Sequence, residues 1–233
     1  MIADRVAAVR DRIARAAARA GRTSAEVTLV AVSKTHPPEA VREAFAAGVR
    51  DVGENRVQEA EGKVAALADL APQGLRWHLV GHLQSNKARK AVALFDWVHS
   101  LDGAPIGRRL AEAAAAAGRE LRALVQVELV PEPTKSGLDE SQLFPALESL
   151  RGLGAVRLLG LMALPPYEEE AERTRPYFRR LRALRDRARQ EGLIEGGELS
   201  MGMSHDLEVA VEEGATLVRV GTAIFGERSS PGG

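Results

Sequence analysis

A single TIM-like (β/α)8 barrel of the α/β class, preceded by one extra N-terminal helix, is the fold this sequence predicts, and three observations predict it. The chain has 233 residues and is 45% hydrophobic, enough for one large core and too short for a second full domain. Eight apolar, β-branched runs alternate with segments of helical composition along almost the whole length. The turn after the first run reads Ser33-Lys34-Thr35-His36-Pro37-Pro38, without the glycine-rich fingerprint that an open dinucleotide-binding sheet carries there.

The first element is a helix over 2–20, where Ile2, Val6, Val9 and Ile13 recur at helical spacing between arginines. Residues 27–33 form the first strand, Pro37 and Pro38 open a helix, and Gly48 ends it. The remaining strands are expected over 49–53, 76–81, 97–101, 121–130, 156–164, 199–203 and 216–221. Helices are expected between them, notably over 56–70, 104–117, 140–150, 168–190 and 205–213. The basic cluster Lys87, Arg89 and Lys90 reads as a solvated helix face. One domain over 1–228 follows, with a disordered tail over 229–233.

Charge and composition narrow the function classes. Thirty-two basic residues balance thirty-two acidic ones, so no overall positive field gathers nucleic acid or coats an anionic membrane. The absence of cysteine removes disulfides, thiolate metal sites and cysteine nucleophiles together. Charged residues interrupt the first helix, so it lacks the apolar core of a secretory signal, and no apolar run is long enough to span a bilayer. A cytoplasmic protein with a small-molecule or protein partner is expected. His78 and His82 are four apart but lie on a strand and its loop, which is not the helical spacing of a zinc peptidase.

Of the 32 basic residues only Lys34, Lys63, Lys87, Lys90 and Lys135 are lysines. A lysine amine can lose its proton, attack a carbonyl and form an imine, which a guanidinium cannot do. Lys34 closes the first strand, and catalytic groups in such barrels sit at C-terminal strand ends. Spacing alone favours the plainer account, a strand-ending charge in solvent. Arg219 stands inside the apolar run Val218-Arg219-Val220, where a buried cation needs a partner. That partner is either a carboxylate on a neighbouring strand, such as Glu54 or Glu128, or a ligand. Around the seventh and eighth strands, Ser200-Met201-Gly202-Met203-Ser204 and Gly221-Thr222 offer hydroxyls, backbone amides and close backbone approach where barrels frequently bind phosphate. Closing the barrel brings this corner beside Lys34, and a phosphorylated aldehyde satisfies both.

Taken together, residues 30–35, Gly53-Glu54-Asn55, residues 77–87, Thr134-Lys135-Ser136-Gly137, residues 200–206 and residues 218–226 resemble the pyridoxal phosphate homeostasis protein family. The resemblance covers almost the entire chain with the motifs in family order. It implies the pyridoxal phosphate fold type III, similar to the barrel domain of alanine racemase without that enzyme's second, β-rich domain. It further implies that Lys34 carries pyridoxal 5'-phosphate as a Schiff base, that Asn55 and His78 contact the cofactor, and that Arg219 faces the pyridine nitrogen. Ser200, Met201, Ser204, Gly221 and Thr222 are implied to hold the phosphate. The chain departs from many relatives at His36, where they carry a second lysine, and at Arg56, where they carry an aromatic residue.

An arginine on the ring nitrogen leaves it unprotonated and makes the ring a weaker electron sink. Racemisation also needs a second acid/base, and Tyr167 and Tyr177 are expected half-buried in or beside a charged helix, without that role. No metal and no catalytic residue are therefore expected. The expected function is holding pyridoxal phosphate, as a monomer or weak dimer, and passing it to apo-enzymes, with amino-acid racemisation or a related reaction as the alternative.

Overall fold

A computed structural model of the chain describes residues 1–130 and 136–227. Eight parallel strands close into a barrel: β1 (Thr28–Val32), β2 (Asp51–Glu54), β3 (Arg76–Leu79), β4 (Trp97–Leu101), β5 (Leu121–Glu128), β7 (Val156–Ala163), β8 (Glu198–Ser200) and β9 (Leu217–Val220). Each pairs with the next, β5 passes to β7, and β9 returns to β1 with Val30 opposite Arg219. A two-residue strand, β6 (Leu138–Asp139), is added to the end of β5.

Helices wrap the outside: α2 (Pro38–Ala46), α3 (Val57–Ala66), α4 (Ala88–Leu94), α5 (Ala104–Ala116), α6 (Glu140–Leu150), α7 (Arg175–Gln190), α8 (Leu207–Glu212) and α9 (Thr222–Phe225). The strands alternate between two environments, as the pleat requires. Ala31, Val52, Trp77, Val98, Val218 and Val220 point outward into the large apolar layer beneath the helices. Val30, Leu124, Met162 and Leu217 form a separate, small apolar cluster inside the barrel. The rest of the interior carries buried polar side chains, including His78, His99, Ser200 and Arg219.

The additional helix α1 (Ile2–Arg19) buries Val6, Val9, Ile13, Ala16 and Ala17, the stripe expected from its spacing. It packs against α2, α8 and α9, outside the seam between β9 and β1. Arg12 fixes it there: Nε and Nη2 donate to Glu208 at 2.6 and 2.7 Å, and Nη2 also donates to the Ser204 carbonyl at 2.9 Å.

Three expectations are corrected. The helix expected over 168–190 begins at Arg175, after a 3-10 turn over Ala171–Thr174, because Pro176 suits the first helical turn and not an interior position. Tyr167 is accordingly in the preceding loop and 75% exposed instead of half-buried, whereas Tyr177 is half-buried as expected. The elements β6 and α9 were not anticipated, since two or four residues carry no readable period. The expected tail over 229–233 lies outside the described residues, as do Thr134 and Lys135 of the fourth motif. No described helix is long and apolar enough to cross a membrane.

Candidate cofactor site

A cavity of about 560 Å³ opens at the C-terminal mouth of the barrel, a volume suited to a small ligand. Six of the residues expected at a site line it: Lys34, Asn55, Ser204, Arg219, Gly221 and Thr222. His78, Ser200 and Met201 do not; all three are fully buried behind the cavity wall.

Lys34 sits on a tight turn just beyond β1. The Ser33 carbonyl accepts from His36 N at 3.0 Å and from Lys63 Nζ at 2.6 Å. Thr35 adopts φ 67°, the one non-glycine residue at positive φ among those described, a conformation that the surrounding structure must hold. Glu54 does much of that holding: its Oε1 accepts from Ser33 Oγ at 2.5 Å and from Lys63 Nζ at 2.6 Å, while Oε2 is buried without a hydrogen-bond partner. Burial raises the Glu54 pKa, opposed by the bonds from Lys63 and Ser33.

Asn55 is placed by close backbone approach. A Cβ on Gly81 would lie 2.3 Å from the Asn55 carbonyl oxygen, so only glycine lets the ends of β2 and β3 meet there. On the opposite wall, Gly202 takes φ 90° and turns the chain out of β8. Asp206 Oδ1 then accepts from Met203 N at 2.7 Å, and Ser204 Oγ accepts from Ala223 N at 3.3 Å. Ser204, Gly221 and Thr222 are thus gathered into one corner with α1 braced behind it.

Arg219 forms the floor. Its guanidinium is buried, donates from Nη1 to Ser200 Oγ at 2.5 Å and from Nη2 to the Ala163 carbonyl at 2.9 Å, and forms no ion pair among the described residues. Among the described residues the expected ion pair with Glu54 or Glu128 is absent, and Glu54 is committed to Lys63. Burial lowers its pKa to about 10, opposed by the charge of Asp206, so it remains a cation at neutral pH.

Residues outside the expected set also reach the cavity. Tyr167 and His205 meet at its rim with ring centroids 5.4 Å apart, and His36 stacks on Phe225 at 5.2 Å. Ser200 and His78 belong to a buried network that includes His99, a residue the sequence reading passed over. Its signal was the alternation Trp97-x-His99, which mirrors Arg76-x-His78 on the preceding strand. His82 pairs with Asp102 at 3.2 Å, and no metal-binding cluster is found among the described residues.

Comparison with known proteins extends this picture. Residues 5–229 match the family described as alanine racemase, N-terminal domain. A pyridoxal phosphate homeostasis protein of Pseudomonas aeruginosa is 48% identical, over 97% of this chain and 96% of that one. Another from Aquifex aeolicus is 44% identical over 97% of both. The solved structure of PipY from Synechococcus elongatus with pyridoxal phosphate bound is 44% identical, covers 97% of this chain and 100% of that one, and superposes with a TM-score of 0.86. Alanine racemase of Corynebacterium glutamicum, 19% identical with a TM-score of 0.68, shares the fold over 62% of its own length. By fold and sequence, the chain belongs to the pyridoxal phosphate homeostasis protein family, within the alanine racemase N-terminal domain family.

Proposed function

We propose that this chain holds pyridoxal 5'-phosphate in the barrel-mouth cavity and serves its homeostasis in the cytoplasm, storing the cofactor and passing it to apo-enzymes. The observation that carries the reading is Arg219: a buried, charged guanidinium on the cavity floor with no ion-paired carboxylate among the described residues, opposite a lysine on the barrel rim. A desolvated cation of this kind is stabilised by an acceptor from a ligand, and a pyridine nitrogen supplies one. When bound, the cofactor supplies an aldehyde for the Lys34 amine and an electron-withdrawing ring.

The residues of the chain divide the work. Lys34 is the covalent attachment point, on a turn that Lys63 and Glu54 hold. Asn55 packs beside the ring, Arg219 donates to its nitrogen, and the phosphate sits in the corner of Ser204, Gly221 and Thr222, with Met201 behind it. His78 and Ser200 serve that site from within the barrel wall. A donating guanidinium keeps the ring nitrogen unprotonated, which weakens the ring as a carbanion sink and favours holding over turnover. The relatives' names describe homeostasis and not catalysis, in keeping with a non-enzymatic role, which the chain would perform as a monomer or weak dimer.

Visible absorption of the purified chain with pyridoxal phosphate, before and after borohydride, followed by mass spectrometry of the peptides, tests the reading. A reduced adduct on Lys34 supports it, and an unmodified Lys34 refutes it. One observation favours a second reading. The Tyr167 phenol lines the open cavity mouth, where an acid/base partner for amino-acid racemisation would stand. Racemisation by the loaded protein that is lost in Tyr167→Phe selects the enzyme.

A further inference from the structure

Behind Arg219 a line of hydrogen bonds crosses the interior of the barrel. Ser200 Oγ lies 2.8 Å from His99 Nδ1, His99 Nε2 lies 2.9 Å from His78 Nδ1, and His78 Nε2 lies 2.8 Å from Asp51 Oδ1. Arg76 then donates to both Asp51 oxygens at 2.7 Å. Asp51 and Arg76 line a second cavity at the opposite, N-terminal end of the barrel.

The ends dictate the direction of every bond between them. A carboxylate only accepts, so the line must run towards Asp51: the Ser200 oxygen accepts from the Arg219 guanidinium and donates its own proton to His99 Nδ1. His99 must then carry its proton on Nε2 and donate it to His78 Nδ1. His78 in turn carries its proton on Nε2 and donates to the Asp51 carboxylate. One tautomer of each ring satisfies the whole line, and the opposite tautomers break it. Burial keeps both rings neutral: it lowers the His78 pKa against the pull of Asp51, and lowers that of His99 further, helped by His78 and Arg219. Trp97 shields the pair, stacked on His78 at 5.6 Å and edge-on to His99 at 6.0 Å. The charged groups facing the line are Asp51, Arg76, Asp96 and Arg219, with Arg122 over the Trp97 ring and Asp206 acting on Arg219.

We propose that Ser200, His99, His78 and Asp51 are positioning residues for Arg219, forming a one-directional relay that orients its guanidinium towards the cofactor and ties that orientation to the Asp51–Arg76 pair at the far mouth. The relay explains why Ser200 and His78 are buried away from the cavity although both are implied to serve the cofactor. It rests on the proposed ring contact of Arg219 for its purpose, but its hydrogen-bond direction stands on the protein alone.

Nitrogen-15 spectra of the full chain without cofactor test the direction. His78 and His99 are expected neutral at about pH 7 and protonated on Nε2. A proton on Nδ1 of either ring overturns the relay. Pyridoxal phosphate binding by Ser200→Ala and His99→Phe then tests the purpose, with circular dichroism confirming that each variant folds. The expected result is about tenfold weaker binding, as for loss of a hydrogen bond to a charged group, and a displaced visible absorption maximum in both. Asp51→Asn is expected to displace the maximum in the same direction by less. Folded variants with unchanged affinity and unchanged absorption overturn the positioning role. Failure of the unsubstituted chain to bind pyridoxal phosphate strikes the proposed function and leaves the tautomer result standing.

Discussion

Replacing Lys63 by methionine is expected to destabilise the protein in a strongly pH-dependent way. Lys63 is a buried cation whose Nζ donates to the Glu54 carboxylate and to the Ser33 carbonyl, each at 2.6 Å. Methionine fills a similar volume and removes both donors, leaving Glu54 with the Ser33 hydroxyl alone and a second oxygen already without a partner. Breaking a buried pair by removing one partner costs about 3–5 kcal/mol. The sign with pH follows from Glu54, whose folded pKa is raised above its unfolded value of 4.5 by burial even with Lys63 present. Without Lys63 it rises further. Below the unfolded pKa the carboxyl is neutral in both states and the penalty is absent; it grows as pH rises through the raised folded pKa. Urea unfolding at pH 4.5 and pH 7.5 measures this, with the larger loss expected at pH 7.5. A loss below about 1 kcal/mol at pH 7.5, or one that is equal at the two values, refutes the assignment of Lys63 as the counter-ion. Adding Glu54→Gln to the variant should recover part of the loss at pH 7.5, since a neutral amide can keep the Ser33 contact without a buried charge.

Asp51 should behave with the opposite sign. Although burial raises its pKa, hydrogen bonds from His78 and Arg76 and the charge of Arg76 bring it down to about 2 from 3.8, so it contributes about 2 kcal/mol of stability above pH 4 that is lost as pH falls through 2. Asp51→Asn should therefore cost that amount at pH 7 by denaturant unfolding and nothing at pH 1.5. Thr222→Ala should weaken pyridoxal phosphate retention about tenfold in equilibrium dialysis while borohydride still fixes the cofactor on Lys34, whereas Lys34→Ala should abolish the fixed adduct. Arg12→Ala removes three hydrogen bonds that hold α1 to Glu208 and Ser204, so dialysis should show faster loss of cofactor from an otherwise intact cavity. An unchanged release rate would separate α1 from the site.

The barrel was legible because its strands announce themselves twice, by apolar runs and by turn residues at their ends. Lys34, Arg219 and the Gly221-Thr222 corner were legible for a different reason: each breaks a local pattern, a lysine among arginines or a charge inside an apolar run. Their meeting in one cavity came from barrel closure, which places β9 against β1. What stayed hidden were partnerships between distant strands. Nothing local to His99 says that its ring lies between Ser200, 101 residues on, and His78, 21 residues back. The fate of Glu54 was misjudged for the same reason: as one candidate partner for Arg219 it is a plausible neighbour by strand order, but its side chain points outward to Lys63 on α3. Alternation along β2 places Asp51 and Gly53 inside and Glu54 outside, so the distinction was present in the period although not in the residue types.

The seam between β1 and β9 also has a consequence for the order in which the molecule acquires its chemistry. Lys34 emerges early in synthesis and Thr222 late, and the cavity exists only where the two are joined. The first helix waits as well, because Arg12 finds Glu208 and Ser204 nearly two hundred residues further on. A growing chain thus presents Lys34 without the corner of Ser204, Gly221 and Thr222 and without Arg219 beneath it. Under the proposed function, capture of a reactive aldehyde would be reserved for the finished barrel, and completion of the fold would itself arm the site.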